Sequence, residues 1–251
     1  MKRTVVVSGG GRGIGRAVAR SFAMSGDWVI ILGRRPSVLR DAAEALTAEA
    51  SSPHGGRVEA YPADLSDPDS VAAVGSEIIS RHSVIDVLVN NAGGVDRQAT
   101  ATLREIADSW LRDFRSNVLT AVMLTTALLP KLRRPGGRVI NMSSIAALRG
   151  GGGSYTAAKA AVIGWTYDLA RSLGKEGITV NAVAPGYIAG TEFFGTSMTP
   201  ERHQRLVSET LDGRPGTPDD VAAAVYFLAS EQASHLTGQI VQVNGGAVLG
   251  R

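Results

Sequence analysis

Cysteine is absent from all 251 residues. Disulfides, thiolate metal sites and cysteine nucleophiles are therefore excluded. Histidine is scarce and scattered: His54, His82, His203 and His235 stand at no metal-ligand spacing from one another, and nothing in the sequence requires a metal. No charge of one sign dominates. Lys and Arg number 26 against 23 Asp and Glu, a formal +3, too small and too dispersed to point to nucleic acid. Long hydrophobic runs are missing too. Met1-Lys2-Arg3 leads straight into Thr4-Val5-Val6-Val7-Ser8, far too short for a signal segment or a membrane span. These absences set the expectation of a cytoplasmic protein with neither a membrane nor a nucleic-acid partner.

Glycine is abundant. It supplies 30 residues, clustered rather than periodic, so some part of the chain needs backbone without side chains in the way. The length fits a single domain over residues 1–251, large enough to bury a core without staples.

Short apolar runs alternate with longer amphipathic stretches. Strands are expected at 5–7, 28–32, 58–61, 85–89, 139–142, 178–183 and 239–243. Helices are expected at 16–25, 37–50, 67–81, 103–132, 155–173 and 218–229, with a turn at Pro53-His54-Gly55-Gly56. The strands are apolar on consecutive residues, the pattern of a parallel sheet buried on both faces. Alternating strand and helix gives an α/β class, a doubly wound parallel sheet of the Rossmann type with helices on both faces. Residues 186–216 mix Gly, Pro, Phe and charges with weak periodicity and read as a substrate lid.

Two ends of chemistry are visible. Ser8-Gly9-Gly10-Gly11-Arg12-Gly13-Ile14-Gly15 follows the first strand and opens the first helix. A helix N-terminus reached by bare backbone suits a pyrophosphate. The second strand ends Leu32-Gly33-Arg34-Arg35, with no acid at its tip. Arginine there pairs with the 2′-phosphate of NADPH, where an acid would hold the ribose of NAD. Arg12 adds charge on the same side. The chemical end is Tyr155-Thr156-Ala157-Ala158-Lys159, whose Tyr and Lys share one helix face. A nearby Lys⁺ is expected to lower the phenol pKa, so that the Tyr trades a proton with a carbonyl oxygen. Ser143-Ser144 follows the fifth strand, and Asn90-Asn91-Ala92-Gly93 ends the fourth. Ligands of such sheets bind outside the carboxyl ends of the strands, so these motifs converge.

Over nearly its whole length the chain resembles a short-chain dehydrogenase/reductase. The family's Thr-Gly-x-x-x-Gly-x-Gly appears as Ser8 to Gly15, its adenine-contacting acidic-hydrophobic pair as Asp64-Leu65, and its Asn-Asn-Ala-Gly as Asn90 to Gly93. Asn117, seven residues after Trp110, matches the catalytic Asn. Tyr155 and Lys159 match the catalytic pair. Pro185-Gly186, with Ile188 and Thr191 beyond, matches the segment over the nicotinamide, and Asn244-Gly245-Gly246 the C-terminal motif. The spacing departs in two places. The family's Ser precedes the Tyr by 13 residues, whereas Ser144 precedes it by 11 and Ser143 by 12; Gly150 to Gly153 absorbs the shortening. Thr191 lies six residues after Pro185, where five is usual.

The resemblance implies an NADPH-dependent reduction of a ketone or 3-oxoacyl thioester. Ser144, with Ser143 as the alternative, holds the carbonyl oxygen, and Tyr155 protonates it. Lys159 binds the nicotinamide ribose and tunes the Tyr, and Asn117 extends the proton relay. Gly9, Arg12, Gly13, Ile14, Gly15, Arg34, Arg35, Asp64, Leu65, Asn91, Ala92, Gly93, Pro185, Gly186, Ile188 and Thr191 join Tyr155 and Lys159 in holding the cofactor. The alternatives are NAD(P)-dependent oxidation of a sugar, steroid or other secondary alcohol, and a non-catalytic cofactor-binding regulator. The substrate is a small carbonyl compound, free or linked to a carrier protein or CoA. Lys131, Arg133 and Arg134 form a basic patch suited to a carrier protein, with Glu176 opposing it. Arg202, His203 and Arg205 are candidates for an acidic partner, and Phe193, Phe194, Met198 and Leu206 for an apolar wall or plain lid packing. Pairing through the Asn117 and Tyr155 helices is expected to give a homodimer or homotetramer, and the apolar stretch 120–129 agrees with that.

Overall fold

Seven parallel strands form one sheet in a computed structural model that describes residues 2–50, 55–96 and 101–250. The strands are β1 (Thr4–Ser8), β2 (Trp28–Gly33), β3 (Arg57–Pro62), β4 (Val87–Asn90), β5 (Arg138–Met142), β6 (Thr179–Pro185) and β7 (Ile240–Val243). Their spatial order is β3-β2-β1-β4-β5-β6-β7. The order reverses between β1 and β4, where the loops leaving the two strands part to opposite sides and open a crevice. The helices are α1 (Gly13–Met24), α2 (Pro36–Glu49), α3 (Pro68–Arg81), α4 (Leu103–Phe114), α5 (Thr120–Leu128), α6 (Ala146–Arg149), α7 (Ser154–Leu173), α8 (Pro200–Ser208) and α9 (Pro218–Leu228).

Successive strand side chains point to opposite faces. Val5, Val7, Val29 and Ile31 pack with α1, α2 and α9, while Val6, Ile30 and Leu32 pack with α3, α5 and α7. Each such fully buried side chain contributes about 1.5–3 kcal/mol. That double coverage is why the strands read as unbroken apolar runs. Among the described residues no helix is long and apolar enough to cross a membrane.

The structure departs from the sequence reading in several places. The expected helical stretch 103–132 is helical through Lys131, but not as one regular α-helix. A wide π turn, Arg115–Leu119, separates α4 from α5, and a 3-10 turn, Leu129–Lys131, ends the segment. Asn117 is the cause: its Nδ2 donates to the Asp113 carbonyl at 2.9 Å and competes for an acceptor of the regular helix. The fourth strand starts at Val87, and Ile85 makes only an isolated bridge with Leu132. Residues 200–208 form α8 despite their polarity, because Thr199 accepts the Arg202 amide and Pro200 opens the first turn. In the expected turn at 53–56, Pro53 and His54 lie outside the described residues. The apolar stretch 120–129 spends Leu124 and Leu128 on the core. Exposed apolar side chains cluster on α4 instead: Leu103, Ile106, Trp110, Leu111 and Phe114.

A polar ladder crosses the buried face between α5 and α7. Asn90 Nδ2 donates to Thr125 Oγ1 at 2.8 Å and to Asn141 Oδ1 at 2.9 Å. Asn141 Nδ2 donates to Thr166 Oγ1 at 2.9 Å. All four residues are buried. Asn141→Ala deprives both Asn90 and Thr166 of a partner and is expected to cost about 2–4 kcal/mol. The midpoint of urea unfolding measures this, and a loss below about 0.5 kcal/mol would show that the ladder is not structural.

Candidate active site

The loops after β1, β4, β5 and β6 gather at the carboxyl edge of the sheet. The turn after β1 is forced to be glycine. Gly9 has φ +68°, and a Cβ on Gly15 would lie 2.2 Å from the Gly9 carbonyl oxygen and 2.5 Å from Asn91 Nδ2. Gly13 opens α1, and Ile14 packs onto the core beneath it. No side chain caps α1, and no acid stands in its first turn. This bare, positively polarised helix end fits a pyrophosphate.

Ser8 stitches this turn to the next loop. Its hydroxyl accepts the amides of Asn91 and Ala92 at 2.9 Å each, and Asn91 Nδ2 donates back to the Ser8 carbonyl at 3.0 Å. Gly93 then passes so close to Asn117 and Lys159 that a Cβ there would sit 2.5 Å from Asn117 Oδ1 and 3.3 Å from Lys159 Nζ. Asn117 brackets the following backbone: Oδ1 accepts the Gly94 amide at 3.1 Å, and Nδ2 donates to the Gly94 carbonyl at 2.7 Å.

The basic tip is exposed at Arg34 and Arg35. Asp64 accepts from the Ser66 hydroxyl and amide, which with Arg34 hold its carboxyl below the usual range; Leu65 beside it is buried. Arg12 and Arg35 both pair with Glu192, Arg35 at 3.6 Å. Glu192 thus ties the segment 186–216 to the glycine turn. Thr191 lies beside it, with its methyl facing Gly13 and its hydroxyl donating to the Ile188 carbonyl at 3.3 Å. Pro185 ends β6, Gly186 lies against Asn244, and Ile188 is buried and bridged to Gly216.

Tyr155 and Lys159 lie on one face of α7, with Lys159 Nζ 5.7 Å from the phenol ring centre. Lys159 is buried and donates to the Met142 carbonyl at 2.9 Å. The two serines differ. Ser143 is buried, and its hydroxyl donates to the Lys159 carbonyl at 2.9 Å. Ser144 is partly exposed and faces the Tyr155 phenol, whose ionisation it favours. The expected lowering of the Tyr155 pKa by Lys159 is not what the packing produces. Burial pushes the phenol up to about 12, with the Asp113 charge adding to it and Ser144 opposing. Burial also pushes the Lys159 ammonium down to about 8.

Aromatic side chains pack together in the segment 186–216. Phe193 packs on Tyr155 at 5.5 Å between ring centres and on Phe194 at 5.0 Å. Tyr187 contacts Phe194, and its hydroxyl meets His203 Nδ1 at 2.7 Å and Met198 sulfur at 3.7 Å. Leu206 is buried. Arg202 lies over Phe194, and Arg205 pairs with Glu209 at 2.8 Å. Arg202, His203 and Arg205 are therefore engaged inside the lid and do not form a free cationic cluster. Arg133 pairs with Asp86 and Arg134 with Glu176, which neutralises most of the patch beside Lys131. The sequence reading missed Glu192, which nothing local marks, and Asp113, whose one signal is its place four residues before Asn117.

A family model described as enoyl-(acyl carrier protein) reductase matches residues 9–248. The 3-oxoacyl-(acyl-carrier-protein) reductase FabG of Chlamydia trachomatis is 35% identical over 253 residues, covering 98% of this chain and 97% of that protein. Two solved structures superpose closely. A 7α-hydroxysteroid dehydrogenase complexed with NADH and 7-oxo glycochenodeoxycholic acid gives a TM-score of 0.88 at 29% identity, covering 98% of this chain and 94% of that one. A short-chain dehydrogenase from Burkholderia cenocepacia in complex with NADP gives 0.85 at 32% identity, covering 98% and 97%.

The buried ammonium makes a direct prediction. In a ¹³C NMR titration of the lysine side chains, Lys159 is expected to lose its proton near pH 8, a transition absent from Lys159→Met. Titration of every lysine near the ordinary 10.5 would contradict the burial argument.

Proposed function

Because the chain belongs to the short-chain dehydrogenase/reductase family, we propose that it is an NADPH-dependent oxidoreductase that reduces a ketone or 3-oxoacyl thioester to the secondary alcohol. One observation carries the reading: the Tyr155 phenol, the Ser144 hydroxyl and the Lys159 ammonium meet at the strand ends beside an uncapped helix N-terminus and a cluster of arginines.

Gly9, Gly13 and Gly15, with Ile14 packed below, leave the start of α1 open to a pyrophosphate. Arg34, Arg35 and Arg12 supply the planar donors that suit a 2′-phosphate, and their charge favours NADPH over NAD. Asp64 and Leu65 border the adenine side, with Asn91, Ala92 and Gly93 flooring the cleft. Pro185, Gly186, Ile188 and Thr191 close it over the nicotinamide side. When bound, NADPH supplies the hydride. Ser144 holds the substrate oxygen, and Tyr155 gives it a proton. Lys159 presents its charge to the ribose side. Asn117 holds the Gly94 backbone and so fixes the loop between the two ligands. Ser143 is the structural serine, because its hydroxyl is spent on the Lys159 carbonyl.

The surroundings of Tyr155 favour its protonated form, which suits a proton donor to a carbonyl oxygen. A regulator that only binds cofactor has no use for this pair. Phe193 against Tyr155 gives the substrate an apolar wall. The substrate is a small carbonyl compound, and a thioester on a carrier protein or CoA fits the relatives' names. The exposed apolar side chains of α4 and Tyr167 of α7 suit pairing of two chains through these helices, as a homodimer or homotetramer in the cytoplasm.

Tyr155→Phe tests the reading against a panel of ketones and 3-oxoacyl thioesters. Loss of the proton donor is expected to lower kcat by about 10²–10⁴-fold, with NADPH binding changed by less than about threefold. Undiminished turnover in the variant would overturn the assignment.

A further inference from the structure

Asp113 is a buried carboxylate that the mechanism above leaves unused. It lies on α4 and is 1% exposed. Oδ1 accepts the Asp96 amide at 2.7 Å, and Oδ2 accepts the Ser154 hydroxyl at 2.7 Å. Its backbone carbonyl accepts Asn117 Nδ2 at 2.9 Å. One residue thus joins three segments of the site: the loop after Gly93–Gly94, the π turn with Asn117, and the first turn of α7, where Ser154 immediately precedes Tyr155. No cation pairs with the carboxylate among the described residues. The adjacent Arg112 spends its guanidinium on Asp96 at 2.9 Å.

A buried charge with two hydrogen-bond donors and no counter-ion is costly. An amide side chain would meet the same neighbours without that cost: its oxygen would accept from Asp96, and its NH₂ would donate to the Ser154 oxygen. Hydrogen bonding alone therefore leaves the charge unexplained. The charged groups facing Tyr155 are Lys159, from its own helix, and Asp113, from α4. Ser144, from the loop after β5, Phe193, from the lid, and Asn117, from the π turn, are neutral.

We infer that Asp113 is a positioning residue for the reduction: it tethers the start of the Tyr155 helix to the Asn117 turn and holds its carboxyl group beside Tyr155. The inference rests on Tyr155 acting as proton donor.

Asp113→Asn removes the charge and keeps both hydrogen bonds. Ultraviolet difference titration against Tyr155→Phe isolates the Tyr155 phenolate. Between about pH 9 and 11 the phenolate fraction is expected to rise about threefold or more in Asp113→Asn, a shift of about half a pH unit. Ser154→Ala keeps the charge and cuts the tether. It is expected to leave the phenolate fraction in place and to lower kcat about three- to tenfold, with the KM for NADPH unchanged and activity restored by Ser154→Thr. An unmoved Tyr155 titration in Asp113→Asn, or wild-type kcat in Ser154→Ala, overturns the inference. A wild-type protein that reduces no carbonyl compound would instead remove the proton-donor reading. The titration decides the hold of Asp113 on Tyr155 in either case.

Discussion

Polar groups at the ends of buried parallel strands have no water to bond, so they bond to one another. The rest of the site depends on that constraint. Ser8 at the end of β1 takes the two amides that follow β4. Asn90 at the end of β4 reaches both α5 and β5, and Asn141 in β5 reaches α7. The same bonds that satisfy buried donors set the distances between the glycine turn, the Asn90–Gly94 loop and the helix carrying Tyr155 and Lys159. These bonds brace the cleft from within the sheet and its loops.

Burial does the electrostatic work. It makes the Tyr155 phenol a reluctant acid and the Lys159 ammonium a readier one, because both lie at the sheet edge under the segment 186–216. Asp113 acts in the same sense as burial on Tyr155 and mechanically on both neighbouring segments. Charge, packing and backbone geometry thus meet in a patch where α4, the π turn and α7 touch.

Much of this was legible in the sequence. The seven strands were visible as apolar runs because both faces are covered, and the glycine turn, Asn117, Ser144, Tyr155 and Lys159 stood out by motif. Other features depended on tertiary contact. The π turn at Asn117 arises from a side chain competing with its own helix, which periodicity does not register. Asp113 looks like any acid on an amphipathic helix until Ser154, forty-one positions away, is seen beside it. The different surroundings of Ser143 and Ser144, one hydroxyl on the Lys159 carbonyl and the other facing the Tyr155 phenol, emerge only in the fold. Glu192 gave no sign of crossing to Arg12 and Arg35, because nothing local fixes the path of the lid.

Those arginines carry the cofactor assignment. Arg12 and Arg35 are turned toward an acid of the lid, Arg34 stands near Asp64, and all three are solvent-exposed. A 2′-phosphate would offer them a stronger anion than Glu192 does. The most direct measurement is a fluorescence titration of the purified protein with NADPH and NADH side by side at two salt concentrations. The account predicts tighter binding of NADPH by about tenfold or more, with the advantage shrinking at high salt. Equal or tighter binding of NADH would contradict it and reduce the arginines to a solvated turn.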